Sequence, residues 1–369
     1  MCIAQQGERH TTEEHIVDAQ KLKDYLVGIF ISVGVPQRDA ETTSDVLVRA
    51  DLRGIESHGV ARILRYAGRI RDGHTAPRPN VRVVSETAST LLIDGGNGLG
   101  QVVGVYAMER CIEKAKRVGI CFAAVRNSNH YGIAGYYAMM ALKEDMIGIS
   151  STNSWPLVAP SYGRRRMFGT NPIAVAVPTK KETPFVLDMA TSVVPIGKIE
   201  VYERREKQVP IGWGVDSEGQ DATDPRKIRH GGSLLPLGGT VDHAGYKGYG
   251  LGVVVDILTG VLSGDIFGPD VGRPEDPMPS RIGHFFGAVN VDAFMPKEEF
   301  KERMDSMLRG LKESPRAPNR KRIYCAGEIE AETEKLRLMK GIPMHWKVYE
   351  TLKKLGEETG VKIDILKVG

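Results

Sequence analysis

Two runs of apolar residues between positions 12 and 54 recur at intervals of three or four, which predicts two amphipathic helices. The apolar positions are Leu22, Leu26, Ile29, Phe30 and Val33 in the first run, and Ala40, Val46, Leu47 and Ala50 in the second. Gly34 and Gly54 follow the two runs, and glycine commonly ends a helix. We therefore expect two helices that each turn one face to a core.

The middle of the chain shows short apolar runs that end in polar or glycine-bearing turns. Such runs predict strands at residues 91–94, 119–125, 146–150, 173–177, 184–187 and 285–291. Helical spacing returns at residues 103–115, 251–262, 297–311 and 344–358. This mixture of strands and helices predicts an α/β fold.

Length and charge narrow the class of protein. The chain has 369 residues, more than one core usually holds, so we expect two or more lobes. Its 50 basic and 46 acidic residues give a formal net charge of +4 without a dense Lys/Arg block, so nucleic acid is not an expected partner. The first ten residues lack the apolar run of a signal peptide, and no uninterrupted apolar stretch of about 18 residues could span a bilayer. We expect a cytoplasmic protein without a membrane segment.

Cysteine and histidine spacing gives no sign of a metal site. The four cysteines, Cys2, Cys111, Cys121 and Cys325, show neither metal-type pairing nor a dense disulfide framework, which fits a reducing compartment. No His/Asp/Glu cluster has ligand spacing such as His-Glu-x-x-His. A metal-dependent hydrolase is therefore disfavoured, and we expect no metal.

Residues 51–66, DLRGIESHGVARILRY, hold a dense group of candidate catalytic side chains. The His58 imidazole titrates near neutrality and can move a proton. Arg62 lies one helical turn further on and can hold a carboxylate in a bidentate fork. In the alternative interpretation, Ser57 caps a helix and His58 only packs. These residues alone leave both interpretations open.

Two polar segments follow predicted strands, where side chains are held rigidly. Residues 127–132, NSNHYG, contain His130, which is the second candidate acid or base unless its role is structural. Residues 151–154, STNS, end in Ser154. Hydroxyl and amide groups at that density can bind a ribose or phosphate, or can cap turns.

Two charged residues occupy positions that suit a ligand. Asp188 follows three apolar residues, and a carboxylate there needs a partner. It can orient a histidine or a cofactor amide, or it can cap the turn. Lys247 lies on a glycine-flanked turn at a predicted helix start, where an ammonium and backbone N–H groups suit an anion. A simple loop lysine is the alternative.

Two glycine clusters lack the spacing of a dinucleotide fingerprint. In residues 95–100 the position of the third glycine is Gln101 or Val103, depending on the starting glycine. In residues 245–252, Val253 occupies that position. Neither a Rossmann domain nor a P-loop is predicted, so a bound nucleotide needs another architecture.

Six motifs in this order resemble the type 2 malate/L-lactate dehydrogenase family. They are ADLRGIESHG at 50–59, NSNHYG at 127–132, FGTNP at 168–172, LDMATS at 187–192, GYKG at 245–248 and AGE at 326–328. The resemblance implies a non-Rossmann α/β fold with a mixed sheet, flanking helices and discontinuous lobes. Residues 1–120 with 315–369 would form a substrate and dimerisation lobe, and residues 121–314 a nicotinamide cofactor lobe. The charged stretch near 198–232 is expected to be an exposed excursion.

The resemblance also implies roles for individual residues. The catalytic candidates are His58, His130, Ser57 and Asp188. The two histidines would transfer the proton, Ser57 would bond the reacting oxygen, and Arg62 would bind the substrate carboxylate. The cofactor contacts would come from Ser154, Asp188, Met189, Ala190, Lys247, Gly327 and Glu328.

The implied reaction moves a hydride between a small 2-hydroxy acid and NAD or NADP in a homodimer. Malate dehydrogenase is the preferred activity. The alternatives are lactate, sulfolactate or ureidoglycolate dehydrogenase, and a reductase of cyclic imino acids. A non-catalytic nucleotide-binding protein is the rival from another class. The sequence does not decide the substrate or the cofactor, and the cationic run Arg164–Arg166 only hints at NADP.

Overall fold

The computed structural model describes residues 14–367. Cys2 and the segment examined for a signal peptide lie outside the described residues. The helices are α1 (Ala19–Ser32), α2 (Gln37–Leu52), α3 (Ile63–Arg71), α4 (Gly100–Val118), α5 (Ala134–Met140), α6 (Ile196–Arg204), α7 (Pro225–Arg229), α8 (Gly245–Asp256), α9 (Lys297–Glu313), α10 (Glu328–Lys340) and α11 (Trp346–Thr359). The strands are β1 (Glu14–Val17), β2 (Arg82–Glu86), β3 (Thr90–Asp94), β4 (Ile120–Ser128), β5 (Met146–Thr152), β6 (Ile173–Val177), β7 (Phe185–Met189), β8 (Gly214–Val215), β9 (Ser233–Leu234), β10 (Ile282–Asn290) and β11 (Ile342–His345).

A seven-stranded mixed sheet with the order β2-β3-β4-β10-β5-β6-β7 lies at the centre. Strands β3 and β4 are parallel, and the other neighbours are antiparallel. Helix α4 packs against β4 and β10, and α5 packs against β5 and β6. The predicted α/β fold with a mixed sheet and flanking helices is confirmed.

Three apolar cores divide the chain. The first joins α1, α2 and α3 to α11 and β11, so the two ends of the chain pack together. The second lies between the sheet and helices α4 and α5. Most apolar residues of the range 82–118 lie in this sheet-centred core, whereas Leu99 and Val102 pack in the first core, so the expected N-terminal lobe contributes to both. A long α4 with a regular apolar face does not reveal which partner it covers.

The third core combines residues 157–194 and Leu234 with part of the segment near 198–232 that was expected to be an exposed excursion. Ile199, Val209, Ala222 and Ile228 are buried there, so this expectation is wrong for the apolar residues. Its charged side chains stay at the surface, where Arg229 pairs with Glu203 at 2.6 Å. The apolar residues are too widely spaced to produce a helical or strand period.

Within residues 14–367, no helix is both long and apolar enough to cross a membrane. Cys111, Cys121 and Cys325 are free thiols.

Candidate active site

A tight backbone bend presents Ser57 and His58 between α2 and α3. Gly59 makes the bend possible, because a Cβ there would lie 1.9 Å from the Asp51 carboxylate. That carboxylate accepts a 2.9 Å hydrogen bond from the Val60 N–H. Arg337 of α10 donates to the Asp51 carbonyl and pairs with Glu56 at 2.6 Å. The buried Asp51 and α10 therefore hold the segment that carries both candidates.

The Ser57 side chain does not cap a helix. The 3₁₀ turn Glu56–His58 has Ile55 at its N-cap and no side-chain cap. Instead, the Ser57 hydroxyl lies 2.9 Å from Nδ1 of His58. The alternative interpretation, in which Ser57 caps a helix, is therefore wrong.

His58 and His130 stack on each other. Their ring centroids are 5.5 Å apart and their planes differ by 19°. The Tyr66 hydroxyl lies 2.6 Å from Nδ1 of His130, and the Gly132 N–H donates to the same nitrogen at 3.3 Å. Because a backbone N–H can only donate, Nδ1 acts as the acceptor, and this network assigns the proton to Nε2 of His130. Residues 72 positions apart in the sequence thus form one pair.

Burial and nearby cations keep both imidazoles neutral. Burial, followed by the charges of Arg62 and Arg65, lowers the pKa of His58 to about 4. Burial, followed by Arg65, lowers the pKa of His130 well below its ordinary value. A neutral imidazole can accept a proton at one nitrogen and donate at the other.

Arg62 lines a cavity of about 470 Å³ together with Arg65 and Trp155. Its Nε donates to the Ser57 carbonyl at 2.6 Å. This contact fixes the guanidinium beside the histidine segment. The terminal nitrogens form no ion pair with any residue from 14 to 367, so they remain for a ligand.

A second cavity, of about 300 Å³, gathers part of the predicted cofactor group. Asp188, Met189 and Gly327 line it, together with Arg53 and Gly135. Arg53 precedes the histidine segment, and Gly135 follows the His130 turn. The second cavity therefore borders the segments that carry the two candidate histidines.

Asp188 lies within β7, one residue before its end. Its Oδ2 accepts a 2.8 Å hydrogen bond from the Gly135 N–H, while Oδ1 accepts none from residues 14–367. The residue retains solvent exposure through the cavity. Even so, the loss of hydration around the carboxyl raises the pKa of Asp188 to about 6, against the lowering effect of the Gly135 hydrogen bond. Oδ1 is free to accept from a ligand.

Glu328 does not face this cavity. Its buried carboxylate pairs with Lys312 at 3.0 Å and with Arg322 at 3.2 Å. It also accepts from the Cys325 N–H at 3.0 Å. The Glu328 side chain therefore holds the turn that presents Gly327.

Ser154, Ala190 and Lys247 lie outside the residues that line the two cavities. The buried Ser154 hydroxyl accepts from the Thr170 N–H at 3.1 Å, so it holds a turn. Ala190 directly follows β7. Lys247 is exposed in the first turn of α8, as the sequence predicts.

Two cations of the run 164–166 have structural partners. Arg164 pairs with Glu218 at 2.8 Å. Arg166 donates to the carbonyls of Gly232 and Arg229, each at 2.7 Å. Both side chains therefore contact the segment that contributes to the third core, and neither lines either of the two cavities.

The sequence interpretation missed Arg65, Tyr66 and Trp155. Arg65 and Tyr66 lie three and four residues after Arg62, which places them on the same helical face. That spacing was the available signal. Trp155 gave none, because its contact with Arg65 joins distant parts of the chain.

No group of three or more His, Cys, Asp or Glu side chains in residues 14–367 is arranged to hold a metal ion.

Comparison with known proteins places these features in one family. The family model described as malate/L-lactate dehydrogenase matches residues 17–353. Malate dehydrogenase of Pyrococcus abyssi is 48% identical over 358 residues, which cover 96% of this chain and 98% of the relative. L-sulfolactate dehydrogenase of Methanocaldococcus jannaschii is 39% identical over 349 residues, covering 95% and 98%. The solved structure of malate dehydrogenase from Pyrococcus horikoshii superimposes with a TM-score of 0.90 at 45% identity, covering 98% of this chain and 99% of that one.

Proposed function

This chain belongs to the malate/L-lactate dehydrogenase family, and we propose that it interconverts a small 2-hydroxy acid and its 2-keto acid with NAD or NADP. The observation that carries the proposal is the stack of two neutral imidazoles beside the Arg62 guanidinium. Malate and oxaloacetate are the preferred pair, since relatives 48% and 49% identical are malate dehydrogenases.

The two histidines have different parts in this reaction. Oxidation removes a hydride from carbon 2 and a proton from the hydroxyl, leaving the 2-keto acid. A bound nicotinamide supplies the hydride acceptor. Nδ1 of His58 is turned to Ser57, so its Nε2 accepts the hydroxyl proton when Nδ1–H donates to the serine. His130 carries its proton on Nε2 and donates a hydrogen bond to the reacting oxygen.

Arg62 couples substrate binding to proton transfer. Its free terminal nitrogens can bind the substrate carboxylate in a bidentate fork. Burial, followed by the charges of Arg62 and Arg65, lowers the pKa of His58 to about 4, and the negative charge of the carboxylate offsets the part that the two cations contribute. Binding therefore raises the pKa of His58 and makes it a stronger base only when the substrate is present.

The residues around the second cavity fit a nicotinamide cofactor. The free Oδ1 of Asp188 suits an amide or hydroxyl donor, and Gly327 adopts φ +90° where a Cβ would lie 2.8 Å from Val186. Lys247 at the start of α8 suits a phosphate. Ser154 and Glu328 would support the cofactor site indirectly, by holding the turns around it. Met189 and Ala190 would contact the cofactor through their backbone beside Asp188.

Replacing Asp188 with alanine is expected to raise the dissociation constant for the reduced cofactor about 10-fold, because a hydrogen bond to a charged acceptor is lost. Fluorescence titration of the reduced cofactor measures this without turnover. Asp188→Asn, which keeps an acceptor oxygen, should bind more tightly than Asp188→Ala. An unchanged dissociation constant in the alanine variant would remove Asp188 from the cofactor site.

We also propose a homodimer that pairs the exposed apolar face formed by the second half of α8 and the helical turn Ile257–Val261 that continues it. Contiguous apolar patches of this kind commonly mark protein interfaces. The exposed side chains are Leu251, Val254, Ile257, Val261 and Leu262, with Val254 47% and Val261 53% exposed. A cytoplasmic location agrees with a dissociable nicotinamide cofactor.

Val254→Asp is expected to convert the dimer to a monomer, because a symmetric interface would bring two buried carboxylates together. Sedimentation or light scattering measures the mass. Val118→Asp, at an exposed position at the end of α4, is the matched control and should leave the mass unchanged. A monomeric wild type, or a Val254→Asp variant that stays dimeric, would contradict this interface.

The proposed activity is tested by following nicotinamide absorbance with NAD and NADP separately. Malate, lactate, sulfolactate and ureidoglycolate are the hydroxy acids, and the matching 2-keto acids test the reverse direction. Turnover on one pair fixes substrate and cofactor together. Cofactor binding without turnover on any of them would favour imino acid reduction first and a non-catalytic role second.

A further inference from the structure

We propose that Arg65 binds a second acidic group at the far end of the substrate, so that the site selects doubly acidic 2-hydroxy acids. Malate carries such a group as a carboxylate, and sulfolactate carries it as a sulfonate. Lactate has only a methyl group at that end. This inference rests on the proposed function and assigns its substrate class.

Three arginines lie at helical spacing along one side of α3 and the turn before it, and they are employed differently. Arg69 donates to the carbonyls of Pro274, Asp276 and Met278 at 2.8, 3.1 and 2.6 Å, so its role is structural. Arg62 uses one nitrogen on the Ser57 carbonyl. Arg65 forms no hydrogen bond or ion pair with residues 14–367.

The Arg65 guanidinium is nevertheless held in place. It stacks over the Trp155 ring, with Cζ 4.9 Å from the ring centroid. A cation–π contact uses the face of the guanidinium, so the N–H donors along its edge stay available for a ligand. The contact with Trp155 therefore positions a cation that has no ion-pair partner among residues 14–367.

Burying a cation without a counter-ion costs free energy, and an anionic ligand that pairs with the cation offsets that cost. Burial lowers the pKa of Arg65 to about 10, which still leaves it charged at neutral pH. Glu275 lines the same cavity and attracts Arg65, but the two form no ion pair. An anionic ligand in this cavity would supply the missing charge.

The neighbours of Arg62 and Arg65 indicate which end of the substrate each arginine would bind. Arg62 is anchored to Ser57, beside His58. Arg65 precedes Tyr66, whose hydroxyl contacts His130. Both cations therefore lie near the imidazole pair, where their charges add to the effect of burial on the pKa of each histidine, and both line one cavity. A carboxylate on Arg62 places the carbon 2 hydroxyl at the histidines and leaves the other end of the molecule for Arg65.

The test compares oxaloacetate with pyruvate in Arg65→Met. We expect kcat/KM for oxaloacetate to fall roughly 10- to 100-fold, mainly through KM, because a charge-assisted hydrogen bond is lost. For pyruvate, kcat/KM should change less than about 3-fold, since its methyl group makes no such bond. The KM of the reduced cofactor should not change.

Two further variants keep the result interpretable. Arg65→Lys keeps the charge without the planar fork, so its kcat/KM for oxaloacetate should lie between those of the wild type and Arg65→Met. Its kcat/KM for pyruvate should equal that of the wild type. It also serves if Arg65→Met does not fold. Arg71→Met removes another α3 cation, which pairs with Glu358 at the surface, and should match the wild type on both substrates.

The outcomes separate this inference from the proposed function. Wild-type protein that reduces no 2-keto acid would overturn both. Active wild type whose Arg65 variants lose oxaloacetate and pyruvate activity equally would overturn the inference alone. A rise in the cofactor KM in place of the oxaloacetate KM would also overturn it, because Arg65 would then serve the cofactor.

Discussion

His58→Ala is expected to lower kcat for oxidation of the 2-hydroxy acid at least about 100-fold, because general base catalysis contributes roughly that factor or more. The variant keeps Arg62 and the second cavity, so KM and cofactor binding should change little. Steady-state kinetics with a cofactor titration separates the two effects. A normal kcat would show that His58 does not take the proton.

His130→Ala should also lower kcat at least about 100-fold, since it removes both the donor to the reacting oxygen and the partner of the stack. His230→Ala is the matched control, because His230 is exposed and lies beside Glu203 in the third core segment. It should behave as wild type. Full activity in both the His58 and the His130 variants would remove both assignments.

The low pKa of His58 predicts how kcat/KM for keto acid reduction depends on pH. Reduction of the keto acid needs a protonated imidazole, and the protonated fraction of the free site falls about tenfold per pH unit above the pKa of about 4. The value of kcat/KM for reduction should therefore fall steadily between about pH 5 and pH 8. A profile that stays level up to about pH 6.5 would indicate an unperturbed histidine.

Arg62→Met is expected to lower kcat/KM roughly 100-fold or more on every 2-hydroxy or 2-keto acid, because it removes the bidentate partner of the carboxylate that all these substrates share. Most of the loss should appear in KM. Loss of orientation adds a smaller decrease in kcat. Steady-state kinetics on a monoacid and a diacid measures both.

Arg165→Met is the control for Arg62, because Arg165 is an exposed arginine near the third core. It should leave all kinetic constants unchanged. Arg62→Lys should recover only part of the activity, since an ammonium cannot form the fork. If Arg62→Met keeps its wild-type KM, the carboxylate is bound elsewhere and the proposed orientation is wrong.

Much of the fold follows from local patterns in the sequence. The apolar face of α4 at Val103, Ala107 and Cys111 is buried against the sheet, and the predicted strand 173–177 matches β6. These elements have a clear period over several residues. The short β1 and the third core were not predicted, because four paired residues or a few scattered apolar ones carry no period.

The sequence predicted most residues of the candidate site, but it did not predict which of them contact one another. Motifs identified His58 and His130, but only the folded chain stacks them and adds Tyr66. The motif containing Glu328 also gave no sign that its carboxylate turns to Lys312. Such contacts join residues far apart in the sequence, so no local pattern encodes them.

A measurement of hydride transfer tests the proposed dehydrogenase activity most directly. Purified protein is incubated with oxidised cofactor and malate that carries deuterium on carbon 2, and the reduced cofactor is then analysed by mass spectrometry. The expected products are oxaloacetate and a reduced cofactor that carries one deuterium, and the initial rate of transfer should be at least about 100-fold lower in His58→Ala. Malate consumed without deuterium in the cofactor, or no transfer from malate or any other 2-deuterated hydroxy acid, would contradict the proposed activity.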